Sequence, residues 1–293
     1  RPSMSHRSRN HDIMMTTVST QPLSVLIMAA GKGTRMKSNR PKVLHLLAGR
    51  SLLQHVLNAV AGLRADSTLV IIGNGADAVR AHLQGQAVTC VLQEPQHGTG
   101  HAVQQVVPHL SDSGTTLILN GDVPLIEPAT AAALAVACGG DKLALLTIEL
   151  ADPTGYGRIV REGAAVKAIV EHKDASTAQR AIREVYTGML AAPTAWLKRA
   201  VMALNNHNAQ KEYYLTDIVA MAVAEGVPVV AAAATNETEV LGVNSPMQLA
   251  DLERRLQRRQ ADALMEAGVR LADPARFDQR GTLACGQDVS IDV

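Results

Sequence analysis

From Leu23 to Asn120 the chain alternates short apolar runs with segments of helical periodicity, and that alternation constrains the fold more than any other feature. Apolar stretches at 23–29, 68–73, 88–92 and 116–120 have the length and β-branched content of buried strands. Between them, 51–63, 76–83 and about 100–110 carry apolar residues at helical spacing. Strand–helix–strand succession of this kind builds right-handed βαβ units and a parallel sheet. Ligands in such sheets bind outside the carboxyl ends of the strands, so chemistry belongs just after Ala29, Leu92 and Asn120.

The second half is less regular. Strands are expected at 143–150, 184–191 and 227–234, helices at 193–204 and 216–224, and a hairpin from 157–160 and 166–171 turned at Glu162-Gly163. These antiparallel insertions make the sheet mixed. Pro246 opens a long helix to about Ala267, with Leu249, Leu252, Leu256 and Leu264 on one face. Its arginines Arg254, Arg255, Arg258 and Arg259 alternate with Asp251, Glu253 and Asp262, the pattern of a solvated face rather than a nucleic-acid contact. The tail from Asp273 reads as loop and ends in an alternating segment from Val289 to Val293, the opening strand of a further element.

Composition narrows the function. Aromatics are 2% of 293 residues and the formal charge is +1, so stacking platforms and blanket attraction to polyanions are both lacking, and no nucleic-acid partner is expected. No apolar run reaches the roughly 18 to 20 residues of a membrane helix, so no membrane partner is expected either. Three widely spaced cysteines, Cys90, Cys138 and Cys285, suit free thiols in a reducing cytoplasm. Residues 1–21, rich in Ser, Thr, Arg and His, read as a disordered leader.

The strongest local signal follows the first strand: Ala29-Ala30-Gly31-Lys32-Gly33-Thr34-Arg35-Met36, then Pro41-Lys42. Small residues let backbone N–H groups approach phosphate oxygens closely, and Arg35 and Lys42 add charge. A dinucleotide fingerprint needs glycine where Met36 stands, and a Walker loop needs Gly-Lys-Ser/Thr after four spacers. Asp122, just past a predicted parallel strand, stands where a magnesium-binding carboxylate belongs, although a turn aspartate gives the same local pattern. His97 and His101 have metal-pair spacing, but Gly98 and Gly100 argue against a helix holding both. Tyr213-Tyr214 reads as packing around a helix start capped by Thr216 or Asp217.

With Pro41-Lys42 the loop resembles that of the nucleoside-diphosphate-sugar transferases, whose fold is a Rossmann-like α/β sheet, mixed and mostly parallel. Later segments narrow the likeness: Leu92-Gln93 with Gly98-Thr99-Gly100-His101-Ala102, Gly121-Asp122-Val123-Pro124-Leu125, Asp152 to Ile159, Ile169 to Asp174, Glu212 to Asp217, and Gly242-Val243-Asn244. In order and spacing they resemble the bacterial bifunctional N-acetylglucosamine-1-phosphate uridylyltransferases. The resemblance implies transfer of uridylyl from UTP to N-acetylglucosamine 1-phosphate, giving UDP-N-acetylglucosamine and pyrophosphate for peptidoglycan and lipopolysaccharide precursors. It implies Mg²⁺ held by Asp122 and Asn244, with Arg35, Lys42 and Asp122 as catalytic residues. Met28, Ala29, Ala30, Gly31, Gln93, Gly98 and Thr99 would surround the nucleotide, Asn120 and Gly121 the centre, and Gly157, Glu171 and Tyr186 the sugar. Tyr186 stands where the family usually has asparagine, and Asn120 where it usually has tyrosine.

The resemblance divides the chain into a pyrophosphorylase domain at 22–246, a linker helix at 247–267 and the start of a truncated left-handed β-helix at 268–293. Solenoids need about three stacked repeats, so acetyl transfer, the activity of the family's β-helix half, is not expected. The full-length family is homotrimeric; this chain is expected to be monomeric or weakly associating. The rivals are a thymidylyl or cytidylyl transferase and a sugar-nucleotide sensor without turnover.

Overall fold

A computed structural model describes residues 21–234 and 236–292. The expected leader, apart from Gln21, lies outside the described residues. β1 (Leu23–Ala29) leads through the glycine loop to a short hairpin of β2 (Leu46–Leu47) and β3 (Arg50–Ser51). Then α1 (Leu52–Val60), β4 (Ser67–Ile72), α2 (Ala76–His82), β5 (Thr89–Leu92), α3 (Thr99–Val106) and β6 (Thr115–Asn120) alternate as the sequence predicts. The second half contributes α4 (Pro128–Cys138), β7 (Leu143–Glu149), the hairpin β8 (Arg158–Glu162) and β9 (Ala165–Val170), α5 (Thr177–Arg180) and β10 (Glu184–Pro193). Next come α6 (Thr194–Met202), α7 (Ile218–Glu225), β11 (Val229–Ala233) and α8 (Pro246–Glu266).

The main sheet runs β11-β7-β10-β6-β1-β4-β5, with β8 and β9 attached beside β10. β1 pairs in parallel with β4 and β6, and β4 with β5, while β10 runs antiparallel to both β6 and β7. The result is the mixed, mostly parallel sheet expected. Because side chains alternate across a strand, β1 feeds two layers. Val25, Ile27 and Ala29 join the core under α1, α2 and α4, whereas Leu26 joins Ile71, Val103 and Leu197 beneath α3 and α6. Burial on both faces is why these strands read as unbroken apolar runs. Each fully buried Leu or Ile there contributes roughly 1.5–3 kcal/mol.

Besides the short β2–β3 hairpin and α5, for which no element was expected, two elements depart from the sequence reading. α4 was not anticipated, because Pro128-Ala-Thr-Ala-Ala-Ala-Leu-Ala-Val-Ala-Cys138 is apolar nearly all round and leaves no amphipathic stripe to read. In the tail, β13 (Ser290–Ile291) pairs in parallel with an unforeseen β12 (Arg270–Leu271), so the final segment is a partner strand and not an isolated first one. α8 is seated on the domain: Leu252 and Leu256 pack with Met36, Leu47, Leu125 and Val243. Met36 therefore ends the glycine loop as a core anchor, 4% exposed, where a dinucleotide fold would carry glycine.

Candidate active site

The carboxyl ends of β1, β5 and β6 open into one cleft. β1 delivers Met28, Ala29 and Ala30, and the loop continues through Gly31 and Lys32, all on the cleft wall. At Gly33 φ is +60°, and an added Cβ would come within 2.8 Å of Lys42 Cβ; glycine lets the loop turn left-handed against the lysine stem. The loop then closes in a 3₁₀ turn, Thr34–Met36. Arg35, on this turn, is exposed and outside the cleft lining, so the structure does not bring it to the other predicted residues.

At the centre lies a small charged cluster. Lys42 Nζ donates to Asp122 Oδ2 in a short contact and to Asn244 Oδ1 at 2.9 Å. Asp122 follows β6 and Gly121, whose N–H donates to Met28 O at 2.9 Å. Asn244 arrives from far along the chain because Val243 N–H donates to Asp122 O at 2.8 Å. It is held there as Ser245 caps α8 and Gln248 Oε1 accepts from the Asn244 N–H. A carboxylate oxygen and an amide oxygen thus converge on one cation, and hard oxygen donors of this kind suit a hard divalent ion. Among the described residues no group of three or more His, Cys, Asp or Glu could hold a metal, so such an ion would draw its remaining ligands from water and substrate. α3 begins at Thr99, so it holds His101 but not His97, as Gly98 and Gly100 lead one to expect, and the two rings meet edge to face at 5.1 Å.

Beside the cluster the cleft is closed by the turn after β5. Gln93 donates its backbone N–H to Ile72 O at 2.8 Å and is 4% exposed. Gly98 takes φ +107°, and an added Cβ would sit 2.6 Å from Tyr213 O. Tyr213 N–H donates to His97 O at 2.8 Å, Gly100 N–H to Tyr213 O at 2.7 Å, and Leu215 N–H to Thr99 Oγ1 at 2.9 Å. The sequence reading assigns Tyr213-Tyr214 to packing and Glu212 no role of its own; Glu212 lines the cleft.

A second cavity adjoins the first, and Met28, Thr99 and Asn120 line both. Gly157, Glu171, Tyr186 and Thr216 form its far side. At Gly157 a Cβ would strike Ile169 Cγ2 at 2.8 Å, so the glycine lets the hairpin close. Glu171 Oε1 accepts from Thr216 Oγ1 at 3.0 Å; Thr216 thus serves the cavity and not the helix cap expected, and Asp217 makes no side-chain cap bond either. Burial pushes the Glu171 carboxyl above its ordinary range; Asp217 and Asp174 add to the rise and the Thr216 hydroxyl opposes it. Tyr186 is buried with its hydroxyl unpartnered, and its acidity is suppressed by burial and by Glu171. Asn120 Nδ2 donates to Gly188 O at 3.2 Å. Apart from Arg35, Gly121 and Asn244, every predicted site residue lines one of these two cavities, and Asn244 joins them through its bond from Lys42.

Such an arrangement, a phosphate-sized loop and a polar second cavity at the carboxyl ends of a mostly parallel sheet, is the architecture of the nucleotidyltransferases. A family model for the MobA-like NTP transferase domain matches residues 25–271, and the chain belongs to that family. It is 69% identical over 279 residues to "Bifunctional protein GlmU" of Methylibium petroleiphilum, covering 92% of this chain and 61% of that protein. It is 59% identical over 291 residues to the protein of the same name from Polaromonas sp., covering 93% and 61%. The chain thus spans about 60% of the length of these relatives. Among solved structures, a nucleotidyl transferase from Methanothermobacter thermautotroptrophicus aligns with TM-score 0.55 and 20% identity over 81% of this chain and 99% of that one. A candidate glucose-1-phosphate thymidylyltransferase from Bacillus anthracis aligns with TM-score 0.65 and 15% identity over 79% and 94%. These two support the fold alone.

Proposed function

We propose that the chain transfers uridylyl from UTP to N-acetylglucosamine 1-phosphate, releasing pyrophosphate and forming UDP-N-acetylglucosamine in the cytoplasm. The observation that carries this reading is the shared wall: one cavity of about 480 Å³ and one of about 210 Å³ meet at Met28, Thr99 and Asn120, with Lys42 and Asp122 on the wall of the larger. A nucleotide fits the first and a monosaccharide the second, so their phosphates would meet at the cluster. A sugar 1-phosphate is already an anionic nucleophile, so the site needs no general base. It must position two polyanions and neutralise them.

On this reading the backbone from Ala29 to Gly31 cradles the triphosphate, and Gln93, Gly98 and Thr99 surround the base. Lys42 neutralises phosphate charge, and Arg35, on its exposed turn, meets the departing pyrophosphate. Asn120 and Gly121 shape the floor between the cavities, and Gly157, Glu171 and Tyr186 receive the sugar. Asp122 and Asn244 would hold Mg²⁺, which would supply charge stabilisation to the reacting phosphates. We place the catalytic domain at 22–246 and read α8 as the linker to a β-helix that begins near residue 268. The test is pyrophosphate release from UTP, N-acetylglucosamine 1-phosphate and Mg²⁺, with Asp122→Ala in parallel. Turnover should fall about 100-fold or more in the variant; undiminished turnover would overturn the assignment.

A further inference from the structure

Two neighbours decide which end of the Gln93 carboxamide faces a ligand. Gln93 Nε2 donates to Gly98 O at 2.9 Å and lies 3.2 Å from His101 Nδ1. A backbone carbonyl only accepts, and this one is fixed by also receiving the Ala102 N–H at 3.1 Å as α3 begins. Nε2 is therefore turned inward. Its second hydrogen meets His101 Nδ1, which must present a lone pair there and carry the ring proton on Nε2. Both N–H bonds of the amide are thus consumed inside the protein. The cleft is offered Oε1, which has no hydrogen-bond partner among the described residues.

Gln105 pulls the other way: its Nε2 stands 3.1 Å from His101 Nε2 and 3.1 Å from His101 O. With the ring proton on Nε2 that contact sets donor against donor. Turning the Gln105 amide would press its Oε1 onto the His101 carbonyl, but Gln105 is part-exposed and can swing off the ring at the loss of that bond to its own helix. Gln93, by contrast, is 4% exposed, and turning it would press Oε1 onto the fixed Gly98 carbonyl. The cheaper adjustment leaves Gln93 as it is. Burial, and then the neighbouring His97 ring at 5.1 Å, lower the proton affinity of His101 and so favour its neutral ring.

We propose that His101 is a specificity-determining positioning residue, a neutral Nε2–H imidazole that pins Gln93 with Oε1 toward the nucleotide base. The site then favours a base edge that donates a hydrogen at that point and disfavours one that presents a lone pair. Uracil donates from N3, and cytosine presents a lone pair at N3. The inference rests on the uridylyl reading above and supplies its base selectivity from this chain's own hydrogen bonds.

Calorimetric titration of the wild-type chain, His101→Leu and His101→Asn with UTP and with CTP tests it. Leucine removes the acceptor, and the UTP preference should fall about tenfold; asparagine keeps an acceptor oxygen near the Nδ1 position and should hold it within about threefold. A preference unchanged in the leucine variant, or lost in the asparagine variant, overturns the inference. The ¹⁵N shifts of the His101 ring in the unliganded wild type give a readout that needs no variant. An unprotonated Nδ1 is expected, and a proton on Nδ1 overturns the proposal. Equal wild-type binding of UTP and CTP would remove the uridine reading and this inference together. That outcome is distinct from an intact preference that ignores His101.

Discussion

Replacing Lys42 by methionine removes the cation between Asp122 and Asn244 while keeping most of the stem volume. The two side chains of the ion pair are 13% and 21% exposed, so the contact is only partly screened. Opposite charges about 4 Å apart attract by ~4 kcal/mol at an effective dielectric of about 20. Desolvation and residual exposure reduce what the pair contributes to roughly 1–3 kcal/mol. For a chain of this size that corresponds to a fall in Tm of about 2–5 °C without metal. Asp122 and Asn244 are then free to bind Mg²⁺ without first displacing an ammonium, so the metal should stabilise the variant more than the wild type. Melting followed by tryptophan fluorescence or calorimetry, with and without millimolar Mg²⁺ and without nucleotide, reads both effects. A variant that melts like the wild type in the absence of metal, or gains less than the wild type from Mg²⁺, would refute the reasoning.

Glu171→Gln should stabilise the unliganded protein by about 1 kcal/mol at neutral pH. The folded carboxyl titrates above its unfolded value because it is buried, so the folded state holds the extra proton and stability falls as pH rises through that window. Urea midpoints compared between pH 5 and 7.5 should show the slope in the wild type and its loss in the variant, and equal slopes would contradict the account. Tyr186→Phe removes a buried hydroxyl that has no partner, so the free protein should lose no stability. If that hydroxyl meets the sugar, the KM for N-acetylglucosamine 1-phosphate rises about tenfold; an unchanged KM removes Tyr186 from the sugar site. Gly98→Ala forces a side chain into φ +107° and against Tyr213 O, and should cost on the order of 3 kcal/mol in denaturant unfolding.

Much of this architecture was legible because its signals are local. The buried strands announce themselves as apolar runs, and the run from Leu23 to Ala29 coincides with β1. Pro246 opens α8 where the sequence places it, since proline at the first turn and Ser245 at the cap are short-range chemistry. Asp122, Gln93 and the glycine loop were legible from their positions after strands. What stayed hidden depends on distance in the chain. Nothing near Lys42 indicates that its ammonium meets Asn244, because the bond that delivers Asn244 runs from Val243 to Asp122. Thr216 has the look of a helix cap until the fold sets Glu171 beside it. Arg35 has the charge expected of a phosphate ligand, yet the buried Met36 turns its 3₁₀ segment so that the arginine is left exposed outside the cleft lining. Free thiols were expected and are found at Cys90, Cys138 and Cys285, and among the described residues no helix is long and apolar enough to cross a membrane.

The central claim is that the two adjoining cavities form one two-substrate site. A crystal structure of this chain with UDP-N-acetylglucosamine and Mg²⁺ tests it most directly. The account predicts uracil against Gln93, the diphosphate beside Lys42 and Asp122, and the sugar in the cavity of Gly157, Glu171 and Tyr186. A ligand bound with its sugar elsewhere, or with its diphosphate away from Asp122 and Asn244, would contradict it.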